Sequence, residues 1–311
     1  MRTAIFVNNA AANCTAGHKW KRIRKEVMKC LPGNPIEISP VNKSDYKRLV
    51  SELMFDAHVK FFVAAGGDGT VNLLLNAIMA CDQSVTTGAC LGGIGLGSSN
   101  DFLKPVFRQV SGIPVKLDYL NPVLSDVGCL HVKRRGCPDL IRYFVINTSL
   151  GWGAEANALF NQGDPIIHFL KSRAVSLCIA YSILKALINH HNQDLRLLYD
   201  RKEHRIRSSV FSLIQKPYLS GSLHFPEYPS PGSGQFCLYL MDDLNGVQLL
   251  WALIKLSHGR FDCSHKFYKE YISEITVQTD HPVAVETDGE VTYGTQFKFS
   301  ILKQKILLAN Y

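Results

Sequence analysis

Gly66-Gly67-Asp68-Gly69-Thr70, followed by Asn72, brings together residue types suited to holding a phosphate chain. The apolar run VKFFVAA leads into it and VNLLLNAI leaves it, so the turn joins a strand to a helix. Glycine permits close backbone approach and positive φ, which lets successive N–H groups point at anionic oxygens, and the helix that follows adds its positive dipole end. Neither the Gly-Lys-Ser/Thr of a Walker loop nor the G-x-G-x-x-G of a dinucleotide fold is present. A second Gly-rich turn, GLGSSNDF from Gly95 to Phe102, follows another apolar run. Near the other end, Glu286-Thr287-Asp288-Gly289-Glu290 gathers carboxylates around an Asp-Gly pair, a common hairpin signal that by itself reads as an exposed acidic turn.

These turns need elements to carry them. Ala4 to Val7 reads as a strand, and Trp20, Ile23, Val27 and Leu31 fall on one face at helical spacing. Ile36 to Ile38 reads as a second strand, with Ser44 expected to cap a helix carrying Tyr46, Leu49, Val50 and Leu53. Strands alternating with helices imply a parallel sheet, whose ligands sit beyond the C-terminal strand ends where both Gly-rich turns fall. From about Asp126 the chain changes to short β-branched and aromatic runs, with helical stretches near His168 to His190 and Val247 to Leu256. The expected fold class is therefore α/β plus all-β: a doubly wound nucleotide-binding domain over 1–125, then an antiparallel, β-sandwich-like domain over 126–296. The strand at about 297–308 is left open between completing the first domain and finishing the second.

Among the 311 residues, Lys plus Arg number 34 against 26 Asp plus Glu, and the net charge of +8 favours nucleic acid, an anionic membrane surface or a phosphorylated ligand as partner. No aromatic-rich basic signature or Cys/His finger spacing supports nucleic acid. Nine cysteines without a C-x-x-C pair indicate reduced thiols in a cytosol rather than disulfides or zinc. The longest apolar segment, Ala174 to Ile188, is interrupted by Lys185 and falls short of a membrane span. The six Lys and Arg side chains within His18 to Lys29 read as a solvated basic face, and Lys133-Arg134-Arg135 and His190-His191 as surface features. Trp152, Phe169, Tyr181, Tyr218 and Phe225 read as core of the second domain rather than a lipid channel.

GGDGTVN resembles the nucleotide loop of the diacylglycerol kinase catalytic-domain superfamily, which includes bacterial lipid kinases, sphingosine kinases and, more distantly, NAD kinases. Four further segments are similar to family elements in the same order: VNNAAANCTAGHKWKRI, GLGSSNDF, NTSLGWGAEA and ETDGE. The resemblance implies that Asn9 and the turn after it, Gly66, Gly67, Asp68, Gly69, Thr70, Asn72, Ser98, Ser99, Asn100 and Asp101 line an ATP site. It also places Asp68 near magnesium and the transferred phosphate, and makes Glu290 the general base with Asp288 positioning it or assisting the metal. Departures are Asn8-Asn9-Ala for the family's N-P-x-x-G opening, Gly97-Ser98 for its G-T, Leu73 for a glutamate, and PEYPSPGSGQF where some bacterial relatives carry structural-metal aspartates.

The function implied is transfer of the γ-phosphate of ATP to a lipid hydroxyl, that of diacylglycerol or a sphingoid-like acceptor. The expected chain is cytoplasmic and peripherally bound to an anionic membrane, with its active site in the cleft between the domains and with homodimerisation open. An NAD kinase-like enzyme and a non-catalytic nucleotide- or lipid-binding relative are the alternatives.

Overall fold

The computed structural model describes residues 2–82, 86–134, 136–161, 181, 185, 187–188 and 191–311. The chain divides into two compact units, Met1–Val127 with Lys303–Tyr311, and Gly128–Leu302.

In the first unit, β1 (Arg2–Val7), β2 (Ile36–Ile38), β3 (Val59–Gly66) and β4 (Cys90–Gly95) form a parallel sheet in the order β2-β1-β3-β4. A short pair, β5 (Gln109–Val110) and β6 (Ile113–Lys116), follows, with β6 antiparallel to β4 at Gly93 and Ile94. Helix α1 (Ala16–Lys29) buries Trp20, Ile23 and Val27 against Ile5, Val7, Phe61 and Val63. Each such side chain contributes roughly 1.5–3 kcal/mol. Phe6, between Ile5 and Val7, points to the opposite face and stacks on Tyr46 of α2 (Asp45–Phe55), with ring centroids 5.4 Å apart. Helix α3 (Asp68–Met79) packs beside α2, so helices cover both faces of the sheet. Ser44 precedes α2, but its side chain makes no cap hydrogen bond; instead the Asp45 carboxylate accepts from the N–H of Asn42 at 3.0 Å.

The second unit is mostly antiparallel. Its strands are the end of β7 (Asp118–Lys133), then β8 (Leu140–Phe144), β9 (Asn147–Gly151), β10 (Gln193–Tyr199) and β11 (Lys202–Ile214). A two-residue pair, β12 (Tyr218–Leu219) with β13 (Leu223–His224), precedes β14 (Phe236–Asp242), β15 (Phe267–Ile272), β16 (Glu274–Thr287) and β17 (Glu290–Asn310). The sheet runs β8-β7-β17-β16, continues through β9 and β10 at successive levels, and ends β11-β14-β15. Phe144 of β8 nevertheless stacks on Phe236 of β14 at 5.6 Å, and Phe211 of β11 meets Phe299 of β17 at 5.7 Å. Strands far apart in sheet order therefore face one another, and the sheet curls over a single apolar core.

Helices α4 (Trp152–Asn161) and α5 (Gly246–Ser257) cover the outer face of β11 and β14. Trp152 and Phe225 are buried there, while Tyr218 and Tyr181 are half-buried. Phe169 and most of the stretch from His168 to His190 lie outside the described residues. Strand β17 does two jobs: Glu290 to Ser300 pairs with β16, and Leu307 and Leu308 lie parallel to Cys90 and Leu91 of β4 in the first unit. Among the described residues no helix is long and apolar enough to cross a membrane.

Candidate functional site

Strand β3 ends at Gly66, and Gly67 caps α3 in an extended conformation (φ −99°, ψ −172°). The loop after β4 comes back against this turn: the N–H groups of Leu96 and Gly97 donate to the carbonyl of Gly66 at 2.9 and 3.1 Å. The two Gly-rich turns thus touch through bare backbone. A Cβ on Gly67 would stand 3.2 Å from the Gly97 Cα, and one on Gly97 would overlap the Gly67 Cα outright. A Cβ on Gly66 would stand 2.6 Å from the Thr70 Cβ. These glycines are required by close approach rather than by a left-handed backbone.

Polar side chains fix the two turns. Asp68 Oδ1 accepts from the N–H of Phe102 at 2.9 Å, tying the first turn of α3 to the second Gly-rich turn. Asn100, left-handed at φ 52°, accepts from the Gly97 N–H at 3.1 Å and donates back to the Gly97 carbonyl at 3.2 Å. Asp101 is buried and pairs with Lys104 at 2.6 Å. Ser98 is exposed and Ser99 half-buried; Gly67, Asp68 and Gly69 are half-buried, and Thr70 and Asn72 buried. Buried Asn72 accepts from Asn76 Nδ2 at 2.9 Å through its carbonyl.

The expected set passed over Asn8. Its Nδ2 donates to Thr70 Oγ1 at 3.0 Å and its Oδ1 accepts from the Ala10 N–H at 3.1 Å, so it links the loop after β1 to the phosphate-type turn. Asn9 is exposed and donates to Ser39 Oγ at 3.3 Å. Asn8 occupies the asparagine position of the N-P-x-x-G pattern, which was the available signal. The loop then takes three successive left-handed residues, Ala12 (φ 49°), Asn13 (φ 55°) and Cys14 (φ 64°), each strained without glycine. Asn9, Ala10, Cys14, Gly17, His18 and Lys21 line an open depression of about 490 Å³ at the N-terminal end of α1. Helix α1 has no acidic residue in its first turn, and Lys19 Nζ donates to the Leu96 carbonyl at 3.4 Å.

In the second unit, β16 and β17 join through Asp288 (φ 46°) and Gly289 (φ 94°), a two-residue hairpin turn of the twisted kind that strand pairs prefer. The Asp-Gly pair by itself signals an exposed turn, but Asp288 is only 3% exposed. Its Oδ2 accepts from the Val145 N–H at 2.8 Å, and its Oδ1 from those of Ile146 and Asn147, both at 3.0 Å. That arrangement makes Asp288 an anchor of the turn. Buried Glu286, also passed over, accepts from Ser149 Oγ at 3.0 Å and from the Gly289 N–H. Gly289 in turn accepts from Asn157 Nδ2 of α4 at 3.2 Å. Glu290 is half-buried at the start of β17. Burial lowers the Arg142 guanidinium below its usual value, and the Glu290 carboxylate opposes that shift. Among the described residues, no three His, Cys, Asp or Glu side chains converge as a metal site.

The profile of the diacylglycerol kinase catalytic domain matches residues 2–121. A protein of Staphylococcus haemolyticus, provisionally named a lipid kinase, is 23% identical over 280 residues, covering 86% of this chain and 81% of its own. One from Escherichia fergusonii, named as a probable lipid kinase, is 40% identical over 76 residues, 24% of this chain and 23% of its own. A crystal structure from Bacillus anthracis, described as a diacylglycerol kinase, superposes with a TM-score of 0.67 at 15% identity, over all of this chain and 97% of that one. At that identity the superposition speaks for the fold alone.

Proposed function

We propose that this chain, whose residues 2–121 match the diacylglycerol kinase catalytic-domain profile, transfers the γ-phosphate of ATP to a lipid hydroxyl. The observation that carries the reading is the pair of Gly-rich turns packed backbone to backbone at the start of α3. Two turns closed on each other without intervening side chains suit a phosphate chain bound beside them, because main-chain N–H groups reach anionic oxygens only where no side chain stands between. Phosphoryl transfer needs mainly positioning and charge stabilisation, which a rigid cradle supplies.

In this reading Gly66 to Thr70, with Ser98 and Ser99, receive the phosphates, and Asn8 orients Thr70. Asp68 has one oxygen committed to the Phe102 N–H and is thereby oriented as the carboxylate for magnesium. Magnesium, when bound with ATP, supplies charge neutralisation on the phosphates. Glu290 takes the proton of the acceptor hydroxyl, a contribution typically worth about 10²- to 10⁴-fold. Asp288 and Glu286 act through the turn, fixing the peptide that carries Glu290. The net charge of +8 suits reversible adsorption to an anionic bilayer. The free thiols of Cys14, Cys137 and Cys263 suit a reducing cytoplasm.

The test is direct. Purified protein is incubated with ATP, magnesium and a total lipid extract, and products are read by mass spectrometry. A lipid gaining one phosphate in the wild type and not in Glu290→Gln is expected. Lack of any phosphorylated lipid, with ATP binding retained, leaves a nucleotide-binding protein and removes the kinase reading.

A further inference from the structure

Helix α5 is apolar on two opposite sides. A capping box fixes its start: Asn245 Oδ1 accepts from the Gln248 N–H at 2.9 Å, and Gln248 Oε1 from the Asn245 N–H at 3.1 Å. Leu249, Ala252, Leu253 and Leu256 pack into the core against Tyr239 and Met241. Val247, Leu250, Trp251 and Ile254 repeat the same i, i+3, i+4, i+7 spacing, and at about 100° per residue they form a second stripe on the far side. They are 67%, 45%, 62% and 41% exposed. Single apolar residues on a surface are ordinary, but a continuous stripe containing a tryptophan marks a contact.

We propose that this stripe is the surface by which the protein lies on an anionic lipid bilayer, a proposal that rests on the lipid-kinase reading for the nature of the partner. The helix contains no acidic residue, and its charged side chain, Lys255, flanks the stripe with half its side chain exposed and pairs with Asp262 at 2.9 Å. Arg260 follows closely in the chain, and Lys266 holds the Asp243 carbonyl just before the helix. An apolar stripe with tryptophan, itself free of acids and flanked by Lys255 and Arg260, has the composition of a helix that lies in the plane of a membrane interface.

The tryptophans make the test specific. The chain has three; Trp20 and Trp152 are each 3% exposed, so Trp251 is the one that a lipid can reach. Vesicles of phosphatidylglycerol and phosphatidylcholine in equal parts, with and without brominated acyl chains, are titrated with the full chain. Bromine should quench the Trp251 emission, Trp251→Phe should still sediment with vesicles but lose the quenching, and Trp251→Glu or Ile254→Glu should weaken sedimentation about tenfold or more while melting like the wild type. Vesicle binding with no bromine quenching and no loss in either glutamate variant overturns the proposal. So does a concentration-dependent dimer that is abolished by Trp251→Glu and indifferent to vesicles, because a second copy would then cover the stripe. Phosphorylation of detergent-dispersed lipid is measured in parallel. Docking without phosphorylation removes the kinase reading and leaves this surface standing; phosphorylation without docking does the reverse.

Discussion

The two turns that carry the candidate chemistry are built on opposite principles. In the first unit, Gly66, Gly67 and Gly97 make a site by withholding side chains, and two backbones meet where a Cβ would stand. In the second, Asp288 and Glu286 make a site by burying carboxylates and satisfying them with amides and a hydroxyl. A backbone cradle tolerates no added atom, whereas a carboxylate clamp tolerates no lost charge. The first should fail by steric intrusion and the second by an unpaired hydrogen-bond set.

Intrusion should have the largest effect. Gly97→Val places side-chain atoms on the Gly67 backbone and should abolish measurable ATP binding by calorimetry. Gly67→Ala, with 3.2 Å of room, should bind more weakly than the wild type but better than Gly97→Ala; equal affinities of the two alanine variants would show that the turns do not need this contact. Next comes Glu290→Gln, which should lower kcat by about 10²- to 10⁴-fold with ATP affinity and melting temperature unchanged. Asp288→Ala strands three amide donors and should cost about 3 kcal/mol or more in urea unfolding, with activity falling further than the folded fraction because the peptide that carries Glu290 is no longer fixed. If Asp288→Ala stays as stable as the wild type yet loses activity, the clamp description is wrong.

These contrasts also explain what the sequence could and could not disclose. The spacing of Trp20, Ile23 and Val27 matches the buried face of α1, because helical periodicity is a local property. The Gly-rich turns were equally visible, since glycine before a helix is a local signal. The burial of Asp288 left no local sign, because its partners, Val145 to Asn147, lie far upstream and no local pattern links them. Asn8 was overshadowed by Asn9, although it holds the asparagine position of the N-P-x-x-G pattern and the strand turns it toward Thr70. Ser44 stands at the expected cap position but makes no cap hydrogen bond, and neighbouring Asp45 bonds back to the Asn42 N–H ahead of the helix. The second role of β17 depends on pairing across the whole chain and leaves no mark in the strand itself.

The smallest expected effect sharpens the comparison from the first side. Glycine is absent where the backbone is left-handed, at Ala12, Asn13 and Cys14. Ala12→Gly should therefore raise stability by about 1 kcal/mol in urea unfolding. A loss instead would mean that the methyl group packs more favourably than its backbone is strained.

The last strand carries one more consequence, for the order in which the protein is made. Cys90 and Leu91 receive Leu307 and Leu308 only after the entire second unit has left the ribosome, so the first unit cannot close its sheet as it emerges. For that interval part of the β4 edge lacks its mate, and an open edge is where nascent chains pair wrongly. Synthesis thus couples the two units in time: the first unit, translated before the second, is finished after it.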